Sequence, residues 1–381
     1  MRRLLPTLAG LILLTSCLSP PRLVLPVQEA KVHEPLVSFL KTNHMSPEEY
    51  VLKCFQNRDI VFLGEQHWIR HDVALVQDLI PKLHAAGIYN LGTEFACHDD
   101  QAEIDRLLGA ETYDENLARK ITFQQFAWWG YQDYIDIYHA AWRLNRSLPP
   151  GARAFRIVGL NTRADWKHVR SAKDREDPAI IKKVWPQGDS DLFMGNVILK
   201  GIARRGEKAL IYSGMHHAFT RFQGSGRRAG NVVRKEIGDR CWTIFLHASW
   251  PSREGWNKPY TYPADGAIDT LIAAVEPQYQ RAGFDVTGSP FAKLTGNTSI
   301  WSVKKPDFTL GDYCDGYIIQ GPLSQYQGVR VAKGFINSEN LKLATEQSPN
   351  PSLRKWMLST AIANYGLRKQ ADISNYRKRY R

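Results

Sequence analysis

DIVFLGEQHWIRHD, residues 59–72, is the stretch whose reading decides the fold. Ile60-Val61-Phe62-Leu63 is an apolar run without polar alternation, the pattern of a strand covered on both faces. It stops at Gly64-Glu65-Gln66-His67, and Arg70, His71 and Asp72 follow at once. A carboxylate and an imidazole at the end of a buried strand are either solvated loop residues or the first side chains of a site.

Working outward, the same alternation recurs. Ile69–Ala86 has apolar residues at helical spacing (Val73, Val76, Leu79, Ile80, Leu83), and Gly87 stops it. Further strands are expected at 88–95 (IYNLGTEF), 154–161 (AFRIVGLN), 208–214 (KALIYSG) and 241–248 (CWTIFLHA). Between them lie helical patterns at 99–109, through the aromatic segment QQFAWWGYQDYIDIYHAAWRL, and over DLFMGNVILKGIARRGE and NVVRKEIGD. Strands alternating with helices predict an α/β fold, a mainly parallel central sheet with helices on both faces. Beyond residue 249 the pattern loosens into an irregular C-terminal extension, with a helix at DGAIDTLIAAV and short strands at SIWSV and GYIIQG. No fixed-period repeat occurs, and residues 46–340 read as one domain.

The ends of the five strands carry chemistry. They are Glu65 and His67, Glu94, Asn161 and Arg163, His216 and His217 with Arg221 following, and His247. In an open parallel sheet the carboxyl ends lie along one rim, where ligands bind. Residues 150 positions apart would then meet in one crevice. The candidate catalytic set is Glu65, His67, Glu94, His216, His217 and Arg70; Asn161, Arg163, Arg221 and His247 are candidates for holding substrate. Any one of these histidines alone is more simply a loop residue, His247 especially. His84, His139 and His168 read as structural or solvated, and the aromatic spacing of Trp128, Trp129, Tyr131, Tyr134 and Tyr138 reads first as core packing against the sheet.

Two carboxylates with two or three imidazoles admit two mechanisms. In one, a divalent metal held by Glu65, His67, Glu94 and His217 polarises a carbonyl or acidifies a water. In the other, a carboxylate or histidine draws the proton from water while Arg70, Arg163 or Arg221 stabilises the oxyanion. Other chemistries lack their motifs: there is no HExxH, no G-x-S-x-G elbow and no Rossmann or Walker glycine pattern, GSGRRAG (224–230) following a histidine loop instead.

Composition bounds the partners. The chain has 381 residues, long enough for a sizeable core, and a net charge of +12 that suits anionic surroundings. No nucleic-acid-binding motif accompanies that charge, so nucleic acid is not an expected partner. From Pro351 to Arg381 eight Lys/Arg face a single Asp, and 341–381 reads as a basic helical tail. MRRLLPTLAGLILLTSC (1–17) has the basic start and short apolar run of a secretory signal, too short to span a bilayer. Its Leu-Thr-Ser-Cys end resembles a bacterial lipobox. The resemblance implies an acylated Cys17, a tether over 18–45 and an outer-membrane lipoprotein facing the periplasm or the surface. Such a compartment allows up to two disulfides among Cys54, Cys97, Cys241 and Cys314, in three pairings.

IVFLGEQHW followed by a helix, then LGTEF and DDQAEIDRLL, resembles the start of the ChaN domain. The superfamily that holds ChaN also holds Tiki proteases and erythromycin esterases. Its shared marks stand here as Gly64-Glu65-Gln66-His67, Glu94 and Gly214-Met215-His216-His217. The aromatic segment and the Asn-ending strand RIVGLN are similar too, and the likeness runs from about 58 to 250. The resemblance implies three different activities: haem binding and iron uptake for ChaN-like lipoproteins, metal-dependent peptide cleavage for Tiki proteins, and metal-free lactone hydrolysis for the esterases. A haem, peptide or other small-molecule ligand is therefore expected, with divalent metal or haem as the candidate cofactor. The reading from the residues favours a hydrolase of an ester or amide, because paired carboxylates with imidazoles exceed what a binding pocket needs.

Overall fold

A computed structural model describes residues 34–222, 226–255 and 260–373 of the chain. Cys17 and the apolar segment before it lie outside the described residues, as do residues 374–381. Among the described residues no helix is long and apolar enough to cross a membrane.

Among the described residues seven strands form one sheet: β1 Ile60–Glu65, β2 Asn90–Cys97, β3 Arg156–Asn161, β4 Ala209–Gly214, β5 Cys241–Leu246, β6 Ala282–Asp285 and β7 Gly316–Ile319. Their order is β3-β2-β4-β1-β5-β7-β6, parallel throughout except that β6 runs antiparallel to β7. The first five lie where the apolar runs predict them. β1 is buried at every position, which explains why its sequence does not alternate. Val61 and Leu63 face one core, shared with the helices Arg70–Ala85 and Gln132–Ser147. Ile60 and Phe62 face a second core, shared with the helices Ser190–Gly201 and Ala229–Ile237. Each such fully buried side chain contributes roughly 1.5–3 kcal/mol.

The connection after β1 passes over β4 to reach β2, and the connection after β4 passes over β1 to reach β5. They leave on opposite faces, as right-handed crossovers require, so the carboxyl ends of β1 and β4 part into a crevice.

Several segments differ from the sequence reading. Glu34–Asn43, inside the expected tether, is a helix whose Leu36 and Leu40 are buried in the second core. Ile300–Val303, within the expected strand SIWSV, is a turn of 3-10 helix, and the four-residue edge strand β6 was not expected. The aromatic segment is not one helix. Helices Glu115–Gln125 and Gln132–Ser147 are separated by an extended link in which Tyr131 bridges Val331 and Gly130 lies against Phe335, where a Cβ would come within 2.4 Å of the ring. Trp128 and Trp129 therefore sit in a loop. In the C-terminal region, helices Leu341–Glu346, Pro351–Arg354 and Thr360–Gln370 fold back over this link. Leu367 is fully buried, and Trp128 donates its indole N–H to the Ala344 carbonyl at 3.0 Å. Cys54, Cys97, Cys241 and Cys314 are all buried free thiols, so none of the disulfides that the compartment would allow is formed.

Candidate functional site

Register sets the site. Glu65 at the end of β1 is level with Gly214 at the end of β4, and β4 lies between β1 and β2, which carries Glu94. Glu65 points to the same face as Leu63 and is wholly buried there. Its Oε1 accepts from Tyr134 Oη at 2.5 Å and lies 2.8 Å from His67 Nδ1, and its Oε2 accepts from Tyr212 Oη. The chain then turns sharply. Trp68 adopts a left-handed φ of 72°, a strained conformation held by its N–H on Tyr134 Oη at 3.3 Å and its carbonyl on the Val329 N–H at 3.0 Å. That turn lays the His67 ring over Gly214. A Cβ there would come within 2.5 Å of His67 Cε1 and 2.9 Å of Nε2, so only glycine leaves room for the imidazole.

From His67 the contacts continue across the sheet edge. His67 Nε2 is 3.6 Å from Glu94 Oε1, and His217 Nε2 is 3.3 Å from Glu94 Oε2. His217 Nδ1 meets Asp191 Oδ1 at 2.7 Å, from the helix Ser190–Gly201 on the other face. Asp191 is itself fixed by the Ala229 N–H at 2.9 Å and Arg228 Nη1 at 3.1 Å. The arrangement is symmetrical in chemistry. One carboxylate, Glu94, is faced by two imidazole Nε2 atoms, and each imidazole is anchored through Nδ1 by a carboxylate of its own. His67 and His217 are partly exposed, whereas Glu65, Glu94 and Asp191 are buried.

These neighbours set the protonation states. Burial opposes charge on His217, but Glu94 and Asp191 outweigh it and raise its pKa from 6.5 to about 9. Burial likewise pulls His67 down, and the hydrogen bond to Glu65 with the charges of Glu94 and Glu65 more than offsets it, so its pKa is raised. Burial pushes the Glu65 carboxyl up despite its three donors. Asp191 is held below the ordinary carboxylate range, since the His217 hydrogen bond, His217 charge, Ala229 N–H and Arg228 overcome its burial. A raised histidine stabilises the folded chain fully below its unfolded pKa and loses that contribution as pH rises through the folded one. Denaturant stability is therefore expected to fall by up to about 3 kcal/mol between pH 6.5 and about 9, and the slope should flatten in His217→Ala.

The remaining sequence candidates are placed elsewhere. His216, one residue along the short helix Met215–Ala218, turns into the second core against Trp301 (ring centroids 5.0 Å apart), and burial lowers its pKa to about 3. Arg70 is committed to Asp133 at 3.5 Å and Gln327 at 3.3 Å, Arg163 to Asp100 at 2.5 Å and Arg221 to Asp315. Asn161 donates to the Glu94 carbonyl at 3.1 Å and so supports the strand that carries Glu94. His247 is a fully buried core residue, 3.0 Å from Tyr317 Oη and 3.4 Å from Asp269. His71 stacks on Tyr326, and because the helix starts at Arg70 it shares no helix face with His67. Asp72, last residue of the opening stretch, is buried and accepts from Gln320 at 2.6 Å.

Tyr134, Tyr212, Asp191 and Arg228 are site residues that sequence reasoning missed. Tyr212 was legible as a hydroxyl inside an otherwise apolar strand. Asp191, in the first turn of its helix, looks like an ordinary partner of the helix dipole.

Among the described residues no group of three or more His, Cys, Asp or Glu is placed to hold a metal ion. Glu65 in particular spends both oxygens inside the protein, so the set Glu65, His67, Glu94 and His217 is not assembled as an ion cage. An axial haem ligand needs a nitrogen, oxygen or sulfur facing an apolar slot. His67 and His217 face Glu94 instead, so they do not fit as axial ligands in this arrangement. Beside His67 stands an aromatic wall, Trp129 lying 4.9 Å from the imidazole and stacking on Phe95 at 5.1 Å, with Trp68 5.9 Å away; Trp129 and Phe95 are buried.

Residues 51–180 match the family described as haem-binding uptake, Tiki superfamily, ChaN. This segment is similar to that family. It holds Glu65, His67, Glu94 and Tyr134, whereas His217 and Asp191 come from beyond it. No curated protein matches the sequence. Among solved structures, one titled a succinoglycan biosynthesis protein is similar at a TM-score of 0.53 and 11% identity, covering 78% of this chain and 98% of its own. At that identity the likeness is one of fold, and it extends well past the ChaN segment. ChaN of Campylobacter jejuni, titled for cofacial haem binding, is similar at a TM-score of 0.37 and 13% identity, covering 56% of this chain and 90% of its own. The erythromycin esterase EreC, as a mutant in its open conformation, is similar at 0.45 and 10%, covering 71% and 92%.

Proposed function

We propose that the carboxyl edge is a hydrolytic site for an ester or amide, with Glu94 as general base. The observation that carries this reading is the single carboxylate faced by two anchored imidazoles. A water beside Glu94 loses a proton to it and forms the bond to the substrate carbonyl carbon. His217, held in its charged form at neutral pH by Glu94 and Asp191, gives its Nε2 proton to the leaving group as the carbonyl–leaving-group bond breaks. The proton on Glu94 then returns to His217. His67, fixed by Glu65, donates to the oxygen that gains charge. The lipobox-like sequence supports an outer-membrane location through acylated Cys17.

The purified full chain is expected to turn over members of an ester and amide panel, with loss of turnover in His217→Ala and a marked fall in Glu65→Gln while both stay folded. Unchanged rates in both variants would remove the assignment. A second reading, non-catalytic haem binding for iron uptake, is favoured by the aromatic wall at His67 and by the family's description. It requires a Soret band on haem titration that weakens in Trp129→Ala; a flat spectrum excludes it.

A further inference from the structure

Large apolar side chains left in water are normally scattered singly over a protein surface. Here Leu343, Trp356, Leu358, Ile362 and Tyr365 all stand exposed within one short stretch of chain, Leu358 at 76% and Trp356 at 53%. Trp356 and Ile362 also line a groove of about 230 Å³ whose floor is Phe126, Trp128, Leu353 and Met357, so the exposed ridge continues into an apolar interior. Basic residues are interspersed with it along the chain. Lys342, Lys355 and Arg368 are exposed, Arg354 and Lys369 are half-buried, and Lys369 Nζ lies 5.6 Å above the Tyr365 ring. Against them, residues 341–373 carry only Glu346 and Asp372.

We propose that this ridge is a membrane-contact surface that seats on an anionic lipid bilayer. Trp356, Leu358, Ile362 and Tyr365 enter the boundary between headgroups and acyl chains, and the Lys and Arg side chains lie against lipid phosphates. Trp and Tyr with flanking basic residues are the composition that favours this interface. A second copy of the chain would bring the same positive rim against itself, whereas an anionic surface neutralises it. The ridge shares no residue with the Glu94 site, and it would orient the protein on a membrane whether or not a lipid tether is present.

The test uses the full chain in a Cys17→Ser background with an environment-sensitive fluorophore on Leu358→Cys, the four described native thiols being buried. On phosphatidylglycerol vesicles the emission is expected to shift to the blue and to be quenched by acyl-chain quenchers. The same label on Lys235→Cys, exposed in a helix on the second face, should stay aqueous. On phosphatidylcholine vesicles the shift at 358 should be much smaller. Failure to bind, vesicle binding with the label at 358 still in water, or a blue shift without lipid that grows with protein concentration would each overturn the proposal, the last by showing a second copy as the occupant.

Discussion

Glu94→Gln should lower turnover of an ester substrate by roughly a hundred- to ten-thousand-fold, the range for loss of a general base. The amide keeps the size of the carboxylate and can still face the Nε2 atoms of His67 and His217, but it cannot accept a proton from water. It also removes the charge that Glu94 contributes to raising His217 and His67. The variant should therefore shift the pH–rate profile as well as depress it, because His217 loses its proton at a lower pH once the charge of Glu94 is gone. Steady-state kcat/KM across pH, with circular dichroism as the check on folding, reads both effects. A rate within a few-fold of the parent would show that Glu94 takes no proton.

Glu65→Ala should destabilise the fold by about 3–5 kcal/mol, the cost of breaking a buried charged network from one side. Tyr134, Tyr212 and His67 all direct donors at this carboxylate, and neither tyrosine has water to turn to. Each donor left unsatisfied carries its own desolvation penalty. Glu65→Gln retains an acceptor and should cost much less. Urea denaturation of the two variants beside the parent tests this directly; equal and small losses would mean that the tyrosines re-pair without difficulty.

The contrast between these residues shows what the sequence could and could not disclose. β1 to β5 were legible because a strand buried on both faces is a run of apolar residues bounded by turn signals. Glu65, Glu94 and His217 were legible as a constellation because parallel strands put their carboxyl ends on one edge. β6 was not: AGFD is too short to show a period, and it exists because β7 and Met45 supply partners on either side. IWSV was misread since a short apolar run fits a strand and a helical turn equally well. The break at Gly130 is a tertiary effect, imposed by Phe335 from two hundred residues away.

Charged side chains were the hardest to place. Arg70, Arg163 and Arg221 follow the strand ends as an oxyanion clamp would, yet each is taken by an aspartate whose position the sequence does not reveal. His247 continues past the last residue of β5 but is covered, its N–H bonded to the Ile318 carbonyl at 2.8 Å, so it belongs to the core and not to the rim. Asp191 shows the opposite error, a residue that looks like helix capping and anchors an imidazole.

The central claim is that Glu94 and His217 act as one unit in hydrolysis, and non-additivity tests it most directly. kcat/KM is measured for the parent, Glu94→Gln, His217→Ala and the double variant on one ester. Residues that share a proton-transfer step lose little more together than the worse single change costs, so the double variant should lie within a few-fold of that single variant. Losses that multiply, or a single variant as fast as the parent, would contradict it.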